Sequence, residues 1–240
     1  MNPTCRAVQT IAALLIVLSS ISFADRRNYV WTYQYQTMPV GATELEFYQT
    51  TQIPEEGHHL WEYRIEVEQG LSDRWDFSVY QIFLQPEDES LTWDAVQFRT
   101  RYRIGEEGQY LLDPLLYLEY RRKIDSSDPN KLECKVVLAK TVDRFNLALN
   151  PVYEYFFAPG TLHEIGLDMA LSWEFAPAFS LGAESVTRAE FEEEKTVTER
   201  YLGPTMSFAK GEWWYSIGAT TGLTEDSDQY RVRFLMGVGL

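Results

Sequence analysis

The sequence is poor in the residues that usually build disulfides, metal sites and nucleic-acid interfaces. Its 240 residues include two cysteines and three histidines. Cys5 lies in a segment that we predict to be removed, which leaves Cys134 without an intrachain disulfide partner. Lysine and arginine number 21 against 36 acidic residues, a net charge of −15. Because such a chain offers phosphates no basic field, we expect no nucleic-acid partner.

Long apolar runs are scarce as well. One run, Ile11 to Ile21, follows Arg6 and is followed by the small-residue site Ser22-Phe23-Ala24. This arrangement is typical of a cleavable secretory signal and is too short for a stable membrane span, so we predict a signal peptide over residues 1–24. The alternative is a single uncleaved anchor helix. With no second run of this kind, a mature chain that enters a membrane must do so as a closed β-barrel.

The end of the sequence points to such a barrel. Apolar residues occupy every second position of the last eleven residues, and Arg231, Arg233 and glycines fall between them. Alternation of this kind is expected of the closing strand of an outer-membrane barrel, whose lipid-facing and lumen-facing residues alternate. We predict that the lipid-facing set is also the assembly signal: Tyr230, Val232, Phe234, Met236, Val238 and Leu240.

The same period of two divides the rest of the chain into strand-length segments of about ten residues, the length that crosses a bilayer at a tilt. We predict strands at 43–53, 60–71, 75–85, 94–104, 113–124, 131–141, 145–156, 163–175, 179–190, 200–209, 213–223 and 229–240. The fold class is therefore all-β, an antiparallel up-and-down transmembrane barrel over residues 43–240. Residues 25–42 would form an N-terminal periplasmic or lumen-packed segment, with 29–37 packed in the mouth or lumen or added as an extra strand. A secreted β-sandwich or lipocalin-like barrel is the soluble alternative.

The connections between these segments alternate in length. Those at 72–74, 142–144, 176–178 and 210–212 are very short, whereas the others are mostly longer and more acidic. Short periplasmic turns that alternate with longer outside loops are the pattern of an outer-membrane barrel. This places both termini in the periplasm and predicts a cell outer membrane location.

Several stretches resemble an uncharacterised family of outer-membrane β-barrels from Gram-negative bacteria. The resemblance rests on Tyr33–Gly41 (YQYQTMPVG), Gly70–Arg74 (GLSDR), Asp113-Pro114 and Gly203–Thr205 (GPT). The chain is also loosely similar to barrels described as outer-membrane transporters. The resemblance implies the barrel fold and the membrane, and it implies no catalytic residue.

The strongest chemical feature is the predicted lumen face, where charges of both signs project inward. Such charges either line a water-filled path and set its selectivity, or pair across the lumen and fill it. The arginine row at 99, 101 and 103 is a basic ladder suited to carboxylates, with Glu66, Glu119 and Asp168 as expected partners. The candidate pore-lining set is Glu62, Arg64, Glu66, Arg99, Arg101, Arg103, Glu119, Arg121, Glu133, Lys135, Asp168 and Glu184.

Other candidate sites have weaker support in the sequence. His58-His59 would bind a metal poorly, because adjacent residues of an extended chain point in opposite directions. The acidic runs at 87–89, 192–194 and 225–228 are typical of solvated loops, although divalent cations near lipopolysaccharide phosphates are the alternative. The spacings of lipases, zinc peptidases and barrel hydrolases are absent, so we predict no enzyme activity, no metal and no cofactor.

The sequence thus predicts an outer-membrane channel or transporter for ions or small polar or anionic solutes. The alternative is a closed barrel with a structural or surface-interaction role. Expected partners are outer-membrane lipid, lipopolysaccharide and the barrel-assembly machinery, and we expect a monomer.

Overall fold

The computed structural model describes residues 26–158, 162–191 and 196–240, which form β-strands and their connections. No helix in these residues is long and apolar enough to cross a membrane. The predicted signal peptide and the acidic run 192–194 lie outside the described residues. The strands are β1 Thr43–Ile53, β2 Leu60–Ser72, β3 Trp75–Pro86, β4 Thr92–Arg103, β5 Asp113–Lys123, β6 Lys131–Val142, β7 Phe145–Phe156, β8 Leu162–Ala176, β9 Phe179–Phe191, β10 Thr196–Lys210, β11 Trp213–Gly222 and β12 Tyr230–Gly239.

The twelve strands form one closed antiparallel barrel in which each strand pairs with its sequence neighbours. The last strand closes on the first, with Val238 opposite Leu45 and Phe234 opposite Gln49. Closure is continued past the strand by the backbone N–H of Leu240, which donates to the carbonyl of Thr43 at 2.9 Å. Because every strand has a partner on both sides, the ladder leaves no open edge facing lipid. The predicted fold class is confirmed.

The two faces of the wall differ in polarity as the alternation predicts. Apolar side chains on the outside remain exposed, and aromatic residues gather near the short turns, including Trp75, Phe145, Trp173 and Trp213. An apolar exterior flanked by aromatic residues is the surface that lipid requires. In β12 the exterior side chains are Tyr230, Val232, Phe234, Met236 and Val238, which alternate with the buried Leu235, Gly237 and Gly239.

Short turns and long loops separate to opposite ends of the barrel. The two-residue turns 143–144, 177–178 and 211–212 lie at one end, with the start of β1 and the end of β12. Each of these turns contains one residue with positive φ: Asp143, Ala178 and Gly211. We name this the periplasmic end and the opposite one the outer end.

Residues 26–40, called the plug below, form no strand, and residues 26–38 lie inside the lumen. Tyr29, Val30 and Met38 have no exposed surface there. The plug leaves the lumen at the periplasmic end, where the Gly41 N–H donates to the Gly70 carbonyl at 3.0 Å. A side chain at Gly70 would collide with the backbone of Pro39, so only glycine allows this close approach. The predicted N-terminal segment therefore sits in the lumen and adds no thirteenth strand.

The strand bounds agree with the predicted segments within two residues, with one exception. β10 begins at Thr196, where the prediction began at 200. The four additional residues pair with β9 up to Phe191. They extend past the lipid-facing belt, where water surrounds both faces and the sequence needs no apolar alternation.

A charge on the outer wall should destabilise the barrel according to its depth. Met169 lies at the middle of β8 on the exterior face, and His163 lies on the same face near the outer end. We expect Met169→Arg to lower the free energy of unfolding by about 2–4 kcal/mol and His163→Arg by about 0–1 kcal/mol. Urea unfolding in phospholipid vesicles measures both values. Equal losses would contradict the assignment of this face to lipid.

Candidate solute site in the barrel lumen

One wall carboxylate holds the centre of the plug. The two oxygens of Glu184 accept hydrogen bonds from the backbone N–H groups of Val30 at 2.8 Å, Trp31 at 2.9 Å and Thr32 at 2.8 Å. Glu184 is completely buried. Three N–H donors on one carboxylate are charge-assisted hydrogen bonds, so they fix the plug backbone and also compensate the buried charge.

Two further wall residues bind the plug backbone on either side of the lumen. The Asn150 amide accepts from the Tyr33 N–H at 2.6 Å and donates to the Tyr33 carbonyl at 3.0 Å. Asp76 accepts from the Met38 N–H at 3.0 Å. Polar groups on the barrel wall thus take the place of a strand partner for an irregular segment at membrane depth.

The wall also leaves room for the plug side chains. A Cβ atom on Gly218 of β11 would lie 2.5 Å from Val30 Cγ2 and 2.9 Å from the Trp31 ring. Because a glycine stands at this position, Val30 and Trp31 pack directly against the backbone of the barrel wall.

Two arginines of β4 form a buried ion-pair ladder beside the plug. Arg99 contacts Glu66 at 2.8 Å and Glu68 at 2.5 Å, and Arg101 contacts Asp76 at 2.7 Å and also Glu68. Arg99 and Arg101 are 1% and 3% exposed, so little of either guanidinium meets the lumen water. These charges satisfy one another and fill the barrel interior.

The same region contains three buried carboxylates whose oxygen atoms lie within 4.8 Å of one another, Glu46, Glu66 and Glu68. Such a group has the composition of a cation site. Here the Tyr48 hydroxyl oxygen lies 2.6 Å from an oxygen of Glu46 and 2.6 Å from an oxygen of Glu66. Arg99 contacts Glu66 and Glu68, so protein donors already take up these oxygens and we assign no metal.

A second ion-pair network lines the opposite wall. Lys131 contacts Glu154 at 2.6 Å, and Lys135 contacts Glu133 at 3.0 Å. Asp168 is completely buried and pairs with Arg188, with Lys135 at 3.8 Å. Arg188 also contacts Glu164 at 3.1 Å, so three cations on this wall pair with four carboxylates.

The outer half of the lumen contains a cavity of about 180 Å³. Its floor is the plug, through Arg27, Trp31 and Tyr33, and its walls come from the outer ends of the strands. Three carboxylates, those of Glu119, Glu133 and Glu154, line it. Against them stand eight cationic side chains, Arg27, Arg64, Arg121, Lys131, Lys135, Arg188, Arg231 and Arg233.

A separate cavity of about 330 Å³ occupies the periplasmic half of the lumen. It is lined by plug residues, including Arg26, Gln34 and Tyr35, and by Arg103 and Glu174 of the wall. The plug therefore lies between two water-accessible chambers, one toward each end of the barrel.

All twelve residues of the predicted pore-lining set lie on the inner face, but they do not form one group. Glu62, Arg64, Glu119, Arg121, Glu133 and Lys135 are at or near the outer cavity. Glu66, Arg99 and Arg101 are part of the buried ladder, and Arg103 lines the periplasmic cavity. Asp168 lies in the ion-pair network of the opposite wall, and Glu184 binds the plug backbone.

The arginine row requires a correction. The predicted solute-facing row is split, because Arg99 and Arg101 are buried in ion pairs while Arg103 donates to Thr37 Oγ1 at 2.9 Å near the periplasmic mouth. Of its expected partners, Glu66 does contact Arg99. Glu119 instead accepts from the Tyr117 hydroxyl, and Asp168 pairs with Arg188.

Five cavity cations were not in the predicted set: Arg27, Lys131, Arg188, Arg231 and Arg233. Arg231 and Arg233 alternate with the apolar residues of β12, so the pattern marks them as lumen-facing. Arg188 follows Glu184 at the same parity of β9 and is marked in the same way. Arg27 has no such signal, because its segment is not a strand.

The histidine pair lies in the outer loop after β1. The His59 backbone N–H donates to Glu87 at 2.9 Å, and His58 Nδ1 lies 3.9 Å from the same carboxylate. The hydrogen bond from the His59 backbone lowers the pKa of Glu87. The histidine pair thus contributes to a contact between the β1–β2 loop and the β3–β4 loop.

A sequence comparison agrees with the resemblance seen in the chain. Residues 137–234 match a family of unknown function (DUF6662). No curated protein matches the sequence. The predicted similarity to an uncharacterised family and to outer-membrane transporter barrels is confirmed at this level.

Solved structures with a similar fold include outer-membrane channels and porins. The COG4313 outer membrane channel from Pseudomonas putida F1 superposes with a TM-score of 0.65 at 10% identity, covering 88% of this chain and 100% of that one. The NanC porin gives a TM-score of 0.60 at 13% identity, covering 82% and 98%. The KdgM porin gives 0.60 at 10% identity, covering 82% and 99%, and has also been solved in complex with disordered oligogalacturonate. At these identities the likeness concerns the fold.

The buried ladder should contribute more to stability than the exposed end of the arginine row. We expect Arg99→Gln to lower the free energy of unfolding by about 3–5 kcal/mol, because it removes the cation that Glu66 contacts and one of the two cations that Glu68 contacts. Arg103→Gln removes hydrogen bonds at the mouth and should cost about 1 kcal/mol. Urea unfolding in vesicles compares the two variants, and similar losses would contradict this division of the row.

Proposed function

We propose that this protein is a gated outer-membrane channel for small anionic solutes. The observation that carries the proposal is the outer cavity at the entrance to a plugged lumen. Eight cationic side chains line it, and two of them, Arg27 and Arg233, pair with no carboxylate in the described residues. Solutes that enter from the outer end meet this cavity first, and the plug separates it from the periplasmic chamber.

The cationic excess is local and opposes the charge of the whole protein. The chain carries a net charge of −15, and the connections between strands contribute acidic runs such as 87–89 and 225–228. A concentration of positive charge in a narrow, partly desolvated lumen attracts anions and repels small cations. Six of the eight cavity cations pair with carboxylates of the wall, so the local excess rests on Arg27 and Arg233.

The solute class that best fits the cavity is a carboxylate. Six of the cavity cations are arginines. Their planar guanidinium groups bind carboxylates through paired hydrogen bonds. The polyanionic oligogalacturonate in the KdgM complex makes sugar acids a sensible first test set.

Passage requires the plug to move. A cavity of about 180 Å³ is below the roughly 300–1,000 Å³ usual for small-molecule sites, so the plugged lumen admits little more than one small anionic group. The plug backbone is held by hydrogen bonds to Glu184, Asn150 and Asp76, and its Tyr29, Val30 and Met38 side chains are fully buried. A solute or a partner can open the lumen only by binding the displaced state of the plug more tightly than the state seen here.

The second candidate function is a closed barrel with a structural or surface-interaction role. It is favoured by the same plug and by the buried ladder of Arg99 and Arg101, which together fill the middle of the lumen. Conductance separates the two candidates, because a purely structural barrel stays silent even when its plug contacts are weakened.

The remaining expectations about partners stand as proposals. They are contact with outer-membrane lipid and lipopolysaccharide, insertion by the barrel-assembly machinery, a monomeric state, a location in the outer membrane after export, and no enzyme activity.

Loss of the central plug contact should open the channel. In Glu184→Ala the N–H groups of Val30, Trp31 and Thr32 lose their acceptor, and each charge-assisted hydrogen bond contributes about 1.5–3 kcal/mol. We expect discrete conductance steps in planar bilayers at voltages where the wild-type protein is mostly closed.

Glu199→Ala is the matched control. Glu199 is a lumen carboxylate that contacts Arg231 at 3.1 Å, so its removal changes the lumen charge equally without touching the plug bonds. We expect its open probability to equal that of the wild type. Silence of the folded Glu184→Ala barrel across the whole voltage range would favour the structural role.

The open channel should select anions through its arginines. In the Glu184→Ala background we expect a reversal potential in a KCl gradient that reports anion selectivity. Adding Arg64→Gln, Arg121→Gln and Arg233→Gln should shift it toward cations, because the acidic lumen residues are then less opposed. Arg122→Gln with Arg200→Gln, at exposed exterior positions, is the control and should leave it unchanged. If the reversal potential of the triple variant does not shift, the assignment of anions as the solute class is contradicted.

A further inference from the structure

The floor of the outer cavity is formed by the plug and not by the barrel. Arg27 is the plug residue that brings charge to this floor. It is 6% exposed, its Nη1 donates to the Tyr48 hydroxyl at 3.1 Å, and its guanidinium lies 4.3 Å from the centre of the Tyr33 ring. These contacts hold it pointing toward the cavity from below.

The strand register places wall arginines beside Arg27. Tyr48 lies opposite Arg64 in the β1–β2 pair, and Thr50 lies opposite Arg233 in the β1–β12 pair. Arg233 Nε donates to Thr50 Oγ1 at 2.8 Å, and its Nη1 donates to the carbonyl of Val30 in the plug at 3.3 Å. Arg233 therefore reaches from the wall onto the plug, next to Arg27.

Charge on this side of the cavity is not balanced. Four guanidinium groups, those of Arg27, Arg64, Arg121 and Arg233, share the space with three carboxylates. These are Glu62, Glu119 and Glu46, and Glu46 contacts the same Tyr48 hydroxyl as Arg27 does. Glu62 contacts Arg64 at 2.7 Å and Arg121 at 4.0 Å. In the part of the chain that the structure describes, Arg27 and Arg233 have no carboxylate within ion-pair distance and bond to neutral oxygens only. Like charges gathered in a partly desolvated space repel one another unless an anion joins them.

We infer that the plug is itself half of the anion-binding site: a carboxylate of the solute binds between Arg27 of the plug and Arg233 of the wall, with Arg64 beside it. This inference rests on the proposed function and names where its solute is held. The paired networks of Lys131, Lys135 and Arg188 on the opposite wall keep their own carboxylates and provide the second rim of the cavity.

A site divided in this way couples solute binding to plug position. With the plug in place, the anion meets both arginines. When the plug leaves, Arg27 leaves with it, and the wall retains a weaker half-site from which the solute escapes. Conduction requires such a loss of affinity, because a solute that stays tightly bound blocks its own path.

Calorimetric titration of the full-length protein in detergent tests the inference, with galacturonate as the anionic probe and glucose as the neutral one. We expect galacturonate to bind and glucose not to bind. Arg27→Gln and Arg233→Gln should each weaken galacturonate binding by roughly tenfold or more, the loss expected for a charged hydrogen bond. Arg27→Lys, which keeps the charge, should restore part of the affinity.

Arg26→Gln is the matched control on the plug. Arg26 lies one residue away but lines the periplasmic cavity, where it contacts Glu174 at 3.4 Å, so its loss should leave binding unchanged. Thermal unfolding of each variant establishes that the barrel is folded.

Two results would overturn the inference. If Arg233→Gln weakens binding and Arg27→Gln does not, the site belongs to the wall alone, and the proposed channel stands. If galacturonate binds neither the wild-type protein nor any variant, the proposal of a divided site is wrong. The channel is then judged separately by the conductance and selectivity of the Glu184→Ala barrel.

Discussion

Closure of the sheet between β1 and β12 is the constraint on which the rest of the molecule depends. Within a bilayer each backbone N–H and C=O needs a protein partner, and the closed ladder supplies one for every strand. Closure then fixes which side chains face lipid and which face the lumen, because alternate residues must point to opposite sides. The charged interior follows from this: an acidic, arginine-rich chain places its ionisable groups where lipid is absent, and neighbouring strands bring opposite charges together.

The lumen combines two uses of charge that a sequence cannot separate. Beside β3 and β4, two arginines pair with three carboxylates, and the whole group is closed to water. Near β12, β1 and β2 the arginines outnumber the carboxylates and face a cavity. The plug divides these regions, since its backbone bonds to wall carboxylates on one side and its Arg27 adds to the positive cavity on the other. A small irregular segment thus decides which wall charges are structural and which are accessible.

Strand positions could be predicted from the sequence because lipid imposes a strict alternation on the exterior face. The extension of β10 to Thr196 escaped prediction because it lies beyond that lipid belt. The inward direction of the twelve candidate residues followed from the same alternation. Their partners did not, because Asp168 meets Arg188 and Arg99 meets Glu68 through a register that only the closed barrel defines. The role of Glu184 was hidden for another reason, since its partners are backbone groups that carry no sequence signature.

The tether of the plug to β1 determines how the lumen recloses. Residues 26–38 precede the point where Pro39 packs over Gly70, and a fully extended stretch of this length reaches roughly 45 Å. A displaced plug therefore stays near the mouth that it left, at an effective concentration on the order of millimolar. Reclosure is a first-order event whose rate does not depend on how many copies share the membrane. Each barrel would then open and close independently of its neighbours.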